Sequence, residues 1–304
     1  MNRRHLSSFA TLLFAFTLAT PLAVRAQAPP DFSKVEIKTT KLADNFYTLE
    51  GQGGTIGVLP GPDGVFMVDS QFAPLSEKIA AAIKQISDKP IKFMVNTHVH
   101  GDHTGGDENF GKMGVTILAR PQLRERLEHP SPGANGAPGV PMPPAGLPAL
   151  TYDAPLTLYL NGEEIHLIPA PKAHTDGDTF VQFVKANVIM TGDFYRSIQY
   201  PNIDRTNGGS LPGLIAALDA VIKAAGPATK IVPGHGPVVD VAAVKAHRDM
   251  VIALRDKVAK LVKEGKTQEQ VVAAKPTADY DAKVQTPGTT ADRFVGQLYA
   301  ELKK

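Results

Sequence analysis

The chain of 304 residues contains no cysteine. No disulfide can therefore stabilise it, and no thiolate is on hand to bind a metal. Charge of one sign is lacking too: 32 Lys and Arg face 30 Asp and Glu, a formal +2. Even that excess sits in the first 26 residues, which hold Arg3, Arg4 and Arg25 and no acid. Without those three arginines the formal charge of the remainder is −1. The basic sequence pI near 8.6 thus gives no ground for attraction to nucleic acid or to an anionic membrane.

Long apolar runs are also scarce. The stretch from about Phe9 to Val24 follows Arg3-Arg4 and ends in Val24-Arg25-Ala26, with small residues at the cleavage positions. It is too short for a comfortable membrane span and reads as a secretory signal peptide. Cleavage is expected after Ala26, because a cut after Ala28 would leave Pro29 beside the scissile bond. The residues around Arg3-Arg4 fit a twin-arginine signal poorly. The expected product is secreted or periplasmic and has no membrane contact once cut. Removing 26 of the 304 residues leaves 278, enough for one large domain with a substantial core.

What the chain does have is His98-Val99-His100-Gly101-Asp102-His103. Three imidazoles and a carboxylate within six residues make physical sense as a metal site, since neutral imidazole suits a borderline cation such as Zn²⁺. Alternation along an extended segment predicts His98, His100 and Asp102 on one side. His103 breaks that period, so the chain must turn there, as Gly101 and Gly105-Gly106 allow. Further ligand-type residues follow strand-like runs: His174 after Glu164–Ile168, Asp193 after Asn187–Thr191, and His235 after Lys230-Ile231-Val232. Loops just beyond strands commonly present chemistry from a rigid scaffold.

In this ordered set the chain resembles the metallo-β-lactamase superfamily, whose pattern is His-x-His-x-Asp-His, a later His, an Asp and a final His. The resemblance spans roughly Phe46 to Val239. It implies a single-domain, four-layer αββα sandwich with metals between the sheets; periodicity alone supports α/β or α+β. It also implies a first site of His98, His100 and His174 and a second of Asp102, His103 and His235, with Asp193 bridging. Without cysteine the subtype that uses a thiolate for its second metal is excluded, and Asp193 stands in that place.

Residues 27–34 read as a linker, 35–264 as the hydrolase domain and 265–304 as a helical extension packed on it. Strands are predicted at about Val35–Thr40, Phe46–Glu50, Thr55–Leu59, Val65–Asp69 and Ile91–Val95, then near 156–160, 163–168, 179–184 and 187–191. Gly-Pro-Asp-Gly at 61–64 predicts a hairpin turn. Helices are predicted at Pro74–Ile86, Leu211–Ala225, Val241–Glu264 and Thr290–Leu302, the second capped by Ser210 with Pro212 in its first turn. The Pro/Gly-rich segment 129–148 is either a surface insertion or a flap bringing Val140, Met142 and Leu147 over the cleft.

Two cations at such a site share a water and lower its pKa, which places hydroxide opposite an acyl carbon or phosphoryl centre. The expected function is a dinuclear zinc hydrolase of a small molecule, with a β-lactam-type amide first and lactones, esters and thioesters close behind. The alternatives are a mononuclear iron enzyme of sulfur or oxygen redox chemistry on the same fold, since imidazole also suits iron, and a phosphodiesterase. Asp102 is a candidate to orient the nucleophile or move its proton. Tyr195 is a candidate oxyanion donor or a packing residue. Asp69 either holds a ligand imidazole or simply ends its strand. The turn Asn207-Gly208-Gly209-Ser210 either binds a substrate carboxylate or starts the next helix. His129, His166 and His247 are expected to be ordinary surface or edge residues.

Overall fold

Apolar runs with no polar member recur along the first third of the chain, and in the computed structural model they form strands buried on both faces. The structure describes residues 31–132, 136–284 and 288–303. The leader reading and the first half of the linker lie outside them. Seven strands, β1 (Lys38–Ala43), β2 (Phe46–Glu50), β3 (Ile56–Leu59), β4 (Val65–Val68), β5 (Ile91–Val95), β6 (Thr116–Ala119) and β7 (Leu150–Thr151), form one sheet in sequence order. Its first half is antiparallel, and β4 through β7 run parallel. All four residues of both β3 and β4 are buried, as strands covered on both faces require.

The second sheet joins β8 (Leu156–Leu160), β9 (Glu163–Pro169), β10 (Thr179–Phe183), β11 (Val188–Met190) and β12 (Lys230–Val232), in the order β12-β11-β10-β9-β8. β8 keeps the alternation of a strand with one wet face, exposing Tyr159 at this edge. Between the sheets, Phe46, Phe66, Val68 and Val95 meet Leu167, Val181, Phe183 and Met190. The Phe46 and Phe183 rings lie 4.5 Å apart, a pair worth about 0.5–1.5 kcal/mol beyond its area.

Helices cover both outer faces. On the first sheet lie α1 (Ser76–Ile86), through Ile79 and Ile83, and α3 (Asp107–Lys112), through Phe110. Between these two comes a single turn, α2 (Gly101–Thr104). α4 (Pro121–Glu128) packs separately through Leu123 and Leu127. The second sheet carries α5 (Leu211–Ala224), α6 (Val241–Lys263), α7 (Gln268–Ala273) and α8 (Ala291–Leu302). On α6 the buried residues Val244, His247, Val251, Leu254 and Val258 repeat at three and four, the spacing of one helix face. Phe294, Val295 and Leu298 of α8 belong to the same core. The architecture is helix, sheet, sheet, helix.

Predicted elements differ from observed ones in identifiable places. The first strand runs Lys38–Ala43 rather than Val35–Thr40, because Val35 and Ile37 pack against the α1 layer. Residues 105–128 and 149–151 carry α3, β6, α4 and β7, none of them predicted. Of segment 129–148, Val140 is 86% exposed, whereas Met142 and Leu147 pack beside Val99, Leu123 and Leu127. The Met142 amide also donates to Leu127, so this part is laid down on α4. Among the described residues no helix is long and apolar enough to cross a membrane.

Candidate metal centre

β4 and β5 in one sheet, and β9, β11 and β12 in the other, end at the same rim. Asp69 ends β4, His98 and His100 follow β5, His174 follows β9, Asp193 follows β11 and His235 follows β12. Backbone bonds stitch the rim together, Thr55 N–H to Gly234 O (2.9 Å) and Thr179 N–H to Thr97 O (2.8 Å) across the two sheets and Gly54 N–H to Asp102 O (3.0 Å) within the first. The rim is thus fixed by main chain before any ion is considered.

The seven residues gather into two groups. His98, His100, His174 and Asp193 form one, and Asp102, His103, Asp193 and His235 the other, with ligand atoms in each within 4.8 Å of one another. Asp193 belongs to both. Its Oδ2 faces His98 (3.9 Å) and His174 (3.8 Å), and its Oδ1 faces His103 (3.2 Å) and His235 (3.4 Å). One expectation fails in detail: Asp102 does not share a side with His98 and His100. The extended segment ends at His100, and the helical turn of α2 swings Asp102 and His103 into the second group.

The outer nitrogens of four imidazoles are engaged by fixed partners, which assigns their tautomers. His103 Nδ1–H donates to Asp69 Oδ2 at 2.7 Å, and His174 Nδ1–H to the Asn202 carbonyl at 2.5 Å. His100 Nε2–H donates to Asp204 Oδ2 at 2.7 Å. Thr97 Oγ1 donates to Asp69 Oδ2 and so accepts from His98 Nδ1–H at 3.1 Å. With these four rings neutral, the assigned proton points outward, and the inner nitrogen presents a lone pair. His174 Nε2 and His100 Nδ1 then face each other at 2.9 Å, acceptor against acceptor. His98 Nε2, His103 Nε2, His235 Nε2 and Asp193 Oδ1 are buried without a hydrogen-bond partner. Orphaned lone pairs converging in this way need a cation. The donor set therefore fits divalent metal, in two neighbouring positions.

Charge agrees with geometry. Burial, then the other imidazoles, push His98 well below its usual range and His174 to about 4, so both are neutral. Burial would raise the Asp193 carboxyl, but His103 and His235 outweigh it and hold it low. Burial would lower His103 and His235 as well, but the carboxylates of Asp69 and Asp193 beside the first, and of Asp193 and Asp102 beside the second, outweigh it and raise both, so these two rings must give up a proton to bind a cation.

Asp69 holds both readings given to it. At φ 62° it ends β4 in the left-handed region, and its carboxylate takes Thr97 N–H, Thr97 O–H and His103 N–H, each at 2.7 Å. Gly54 is small for a reason: a Cβ there would overlap the His103 ring.

Other candidates are relocated. Tyr195 turns away from the ligands, its ring edge-on to His247 of α6 at 5.0 Å. The short 3₁₀ turn Gly192–Phe194 rotates successive side chains by about 120°, which separates Tyr195 from Asp193. His247 is no surface residue; it is 9% exposed and faces the core side of α6. His129 is exposed and His166 pairs with Glu164 at the sheet surface. The 207–210 turn starts a helix: Ser210 Oγ caps Gly213 N–H, and the Leu211 N–H goes to Glu301 of α8 at 3.0 Å. A carboxylate of the protein takes the place suggested for one of substrate.

Four participants escaped the sequence reading: Thr97, the Asn202 carbonyl, Asp204 and Arg196. Asp204-x-x-Asn207-Gly208 is a turn signature, and Asp204 does accept from Thr206 and Asn207 N–H, but its bond to His100 crosses 104 residues. Arg196 Nε lies 3.7 Å from Asp193 Oδ2, buried without a hydrogen-bond partner.

The family model described as metallo-beta-lactamase superfamily matches residues 49–235, well over half of the chain. The chain belongs to the metallo-β-lactamase superfamily. Among solved structures, a metallo-beta-lactamase from Pontibacter korlensis superposes with a TM-score of 0.59 at 19% identity, over 71% of this chain and 99% of that one. A stereoselective inverting sec-alkylsulfatase from Pseudomonas sp. gives 0.64 at 17% identity, over 86% of this chain and 50% of that one. These likenesses show the fold. A linear primary-alkylsulfatase from Pseudomonas sp. (strain ATCC 19151) is 41% identical over 54 residues, 17% of this chain and 10% of that enzyme. The superfamily chain thus spans only a small part of that curated relative.

Proposed function

We propose that this chain is an exported dinuclear zinc hydrolase that cleaves an acyl bond in a small anionic molecule. A β-lactam-type cyclic amide stands first, ahead of lactones, esters and thioesters. The observation that carries the reading is the set of inward lone pairs from two imidazole groups sharing the Asp193 carboxylate. Nitrogen and oxygen donors without sulfur suit zinc held at an open, catalytic site. Two such cations supply an activated water at neutral pH and polarise the scissile group.

The protein's own residues do the rest. Asp102 is about a quarter exposed, and its Oδ2 lies 3.0 Å from His235 Nε2 and 3.8 Å from His103 Nε2. It is the carboxylate placed to orient a nucleophile and take its proton. Asp69, Asp204, Thr97 and the Asn202 carbonyl fix the imidazole rings. Arg196 offers a guanidinium to a substrate carboxylate or similar anion. A second reading, sulfate-ester hydrolysis, is favoured by the 54-residue likeness to the alkylsulfatase.

The test is a zinc-loaded assay across β-lactam, lactone, thioester, alkyl sulfate and phosphodiester substrates. Turnover of one class, abolished by chelator, is expected. Arg196→Gln should raise KM for an anionic substrate by about tenfold with kcat nearly kept, the signature of lost uniform binding. One iron per chain with oxygen consumption and no hydrolysis would overturn the proposal. Stoichiometric zinc with silence across the panel would leave a metal-binding protein instead.

A further inference from the structure

Behind the metal rim, on the α6 side of the loop that follows Asp193, lies a cavity of about 690 Å³ lined by none of the seven candidate ligands. That volume falls within the usual range for small-molecule sites. Val239, Ala246 and Met250 give it apolar walls, and Tyr280 and Val284 close its far side. Of the other polar side chains that line it, Ser197 is bonded to the Pro237 carbonyl, Asp249 is paired with Arg248 and Lys283 is exposed, which leaves Tyr195, Gln199 and His247. His247 Nε2 and Gln199 Oε1 are buried without a hydrogen-bond partner. The Tyr195 hydroxyl makes no hydrogen bond among the described residues, although its ring is 2% exposed.

Leaving such groups unpaired costs about 1–3 kcal/mol each, and an apolar helix face could have carried Leu at position 247 at no such cost. Unpaired donors and acceptors in an apolar cavity, two of them on the rings of Tyr195 and His247 5.0 Å apart, are the ordinary form of a ligand site, with walls for a hydrocarbon body and a few polar groups to orient one head. We propose that this cavity binds a small, uncharged amphiphile with an aliphatic body and a single hydroxyl, which bonds to His247, Tyr195 and Gln199. A hydroxyl both donates and accepts, so it can serve an imidazole nitrogen, a phenol and an amide oxygen together. An anionic head is disfavoured beside His247, because burial holds that ring neutral, its pKa lowered to about 4, and in the rest of the lining Asp249 offsets Lys283. The proposal is independent of the reaction at the metal rim.

The experiment is calorimetric titration of the zinc-loaded full chain with 1-octanol, alongside octanoate. Saturable one-to-one binding of 1-octanol is expected, with octanoate at least about tenfold weaker. His247→Leu keeps the side-chain bulk and removes the polar group, so affinity should fall about tenfold or more, whereas His247→Gln should stay within about threefold. Ala246→Trp, at an exposed helix position, should block the cavity and abolish binding while the melting temperature is kept. No saturable binding would overturn the proposal. So would binding indifferent to Ala246→Trp, which puts the alcohol elsewhere. Equal or tighter binding by His247→Leu would refute the recognition of a hydroxyl.

Discussion

Asp69→Asn is the sharpest perturbation of the centre, because it changes one atom and keeps the shape. Asn tolerates the left-handed backbone at this position, φ 62°, so no backbone penalty enters. Oδ1 accepts the Thr97 amide, and Oδ2 accepts both the Thr97 hydroxyl and His103 Nδ1–H. The amide oxygen must stay where the immovable backbone N–H is, which turns the new NH₂ towards His103. Donor then meets donor. The imidazole escapes only by moving its proton to Nε2, the atom that faces Asp193 Oδ1 at 3.2 Å.

A protonated Nε2 cannot bind a metal, so the second group loses a ligand or must restore the disfavoured tautomer. Changes of this kind beneath a ligand cost about 10–100-fold in metal affinity, or about 1.4–2.8 kcal/mol. The loss should fall mainly on the second group, since His100 and His174 donate outward to Asp204 and the Asn202 carbonyl, and only His98 of the first group is linked to Asp69, indirectly through Thr97. Competition of zinc between the variant and a calibrated chelator reads both affinities. One weakened step and one near-unchanged step are expected, with far-UV circular dichroism intact. Two wild-type affinities in Asp69→Asn would refute the tautomer reasoning; equal loss at both would refute the division into two groups.

Asp102→Ala, assayed at matched metal content, should cut kcat by about 10²–10⁴ and leave the fold intact, because Asp102 sits at the open side of the rim; unchanged turnover would contradict its proton role. Gly54→Ala should lower metal stoichiometry from two to one, since its methyl takes the space of the His103 ring, and metal analysis of the purified variant checks this. For His247, burial lowers the folded pKa from 6.5 to about 4. A depressed His contributes nothing above pH 6.5, and stability is lost as pH falls from there to 4, when the unfolded chain takes a proton that the folded one refuses. The loss reaches about 3 kcal/mol. Denaturant titrations at pH 7.5 and 4.5 should show this sensitivity in the wild type and its reduction by that amount in His247→Leu.

How far such features can be read in advance depends on whether their cause is local. Buried strands such as Val65–Val68, and helices with a clean apolar stripe such as Leu211–Ala224, announce themselves because burial selects residue type at fixed periods. The seven rim residues were legible for a similar reason: ligand chemistry demands His and Asp, and strand ends deliver them in order. α3 and α4 are short, six and eight residues, and carry too few turns to display a period. They are held by tertiary contacts, through Phe110 and through Leu123 with Leu127.

The unread parts of the centre are those whose meaning exists only across space. Asp204 looks like any turn aspartate until His100 is seen 2.7 Å away. Tyr195 is linked to the cleft by proximity in sequence to Asp193, but the three-residue 3₁₀ turn that holds Asp193 sends the two side chains in different directions. His247 follows the helical period of a buried position exactly where a polar residue should not be, three residues after Val244 and four before Val251. That conflict between period and polarity was visible in the sequence. Its resolution as a histidine facing a cavity required the packing of α6 against the loop that leaves the metal rim, so polar breaks in an otherwise apolar stripe merit a search for what they face.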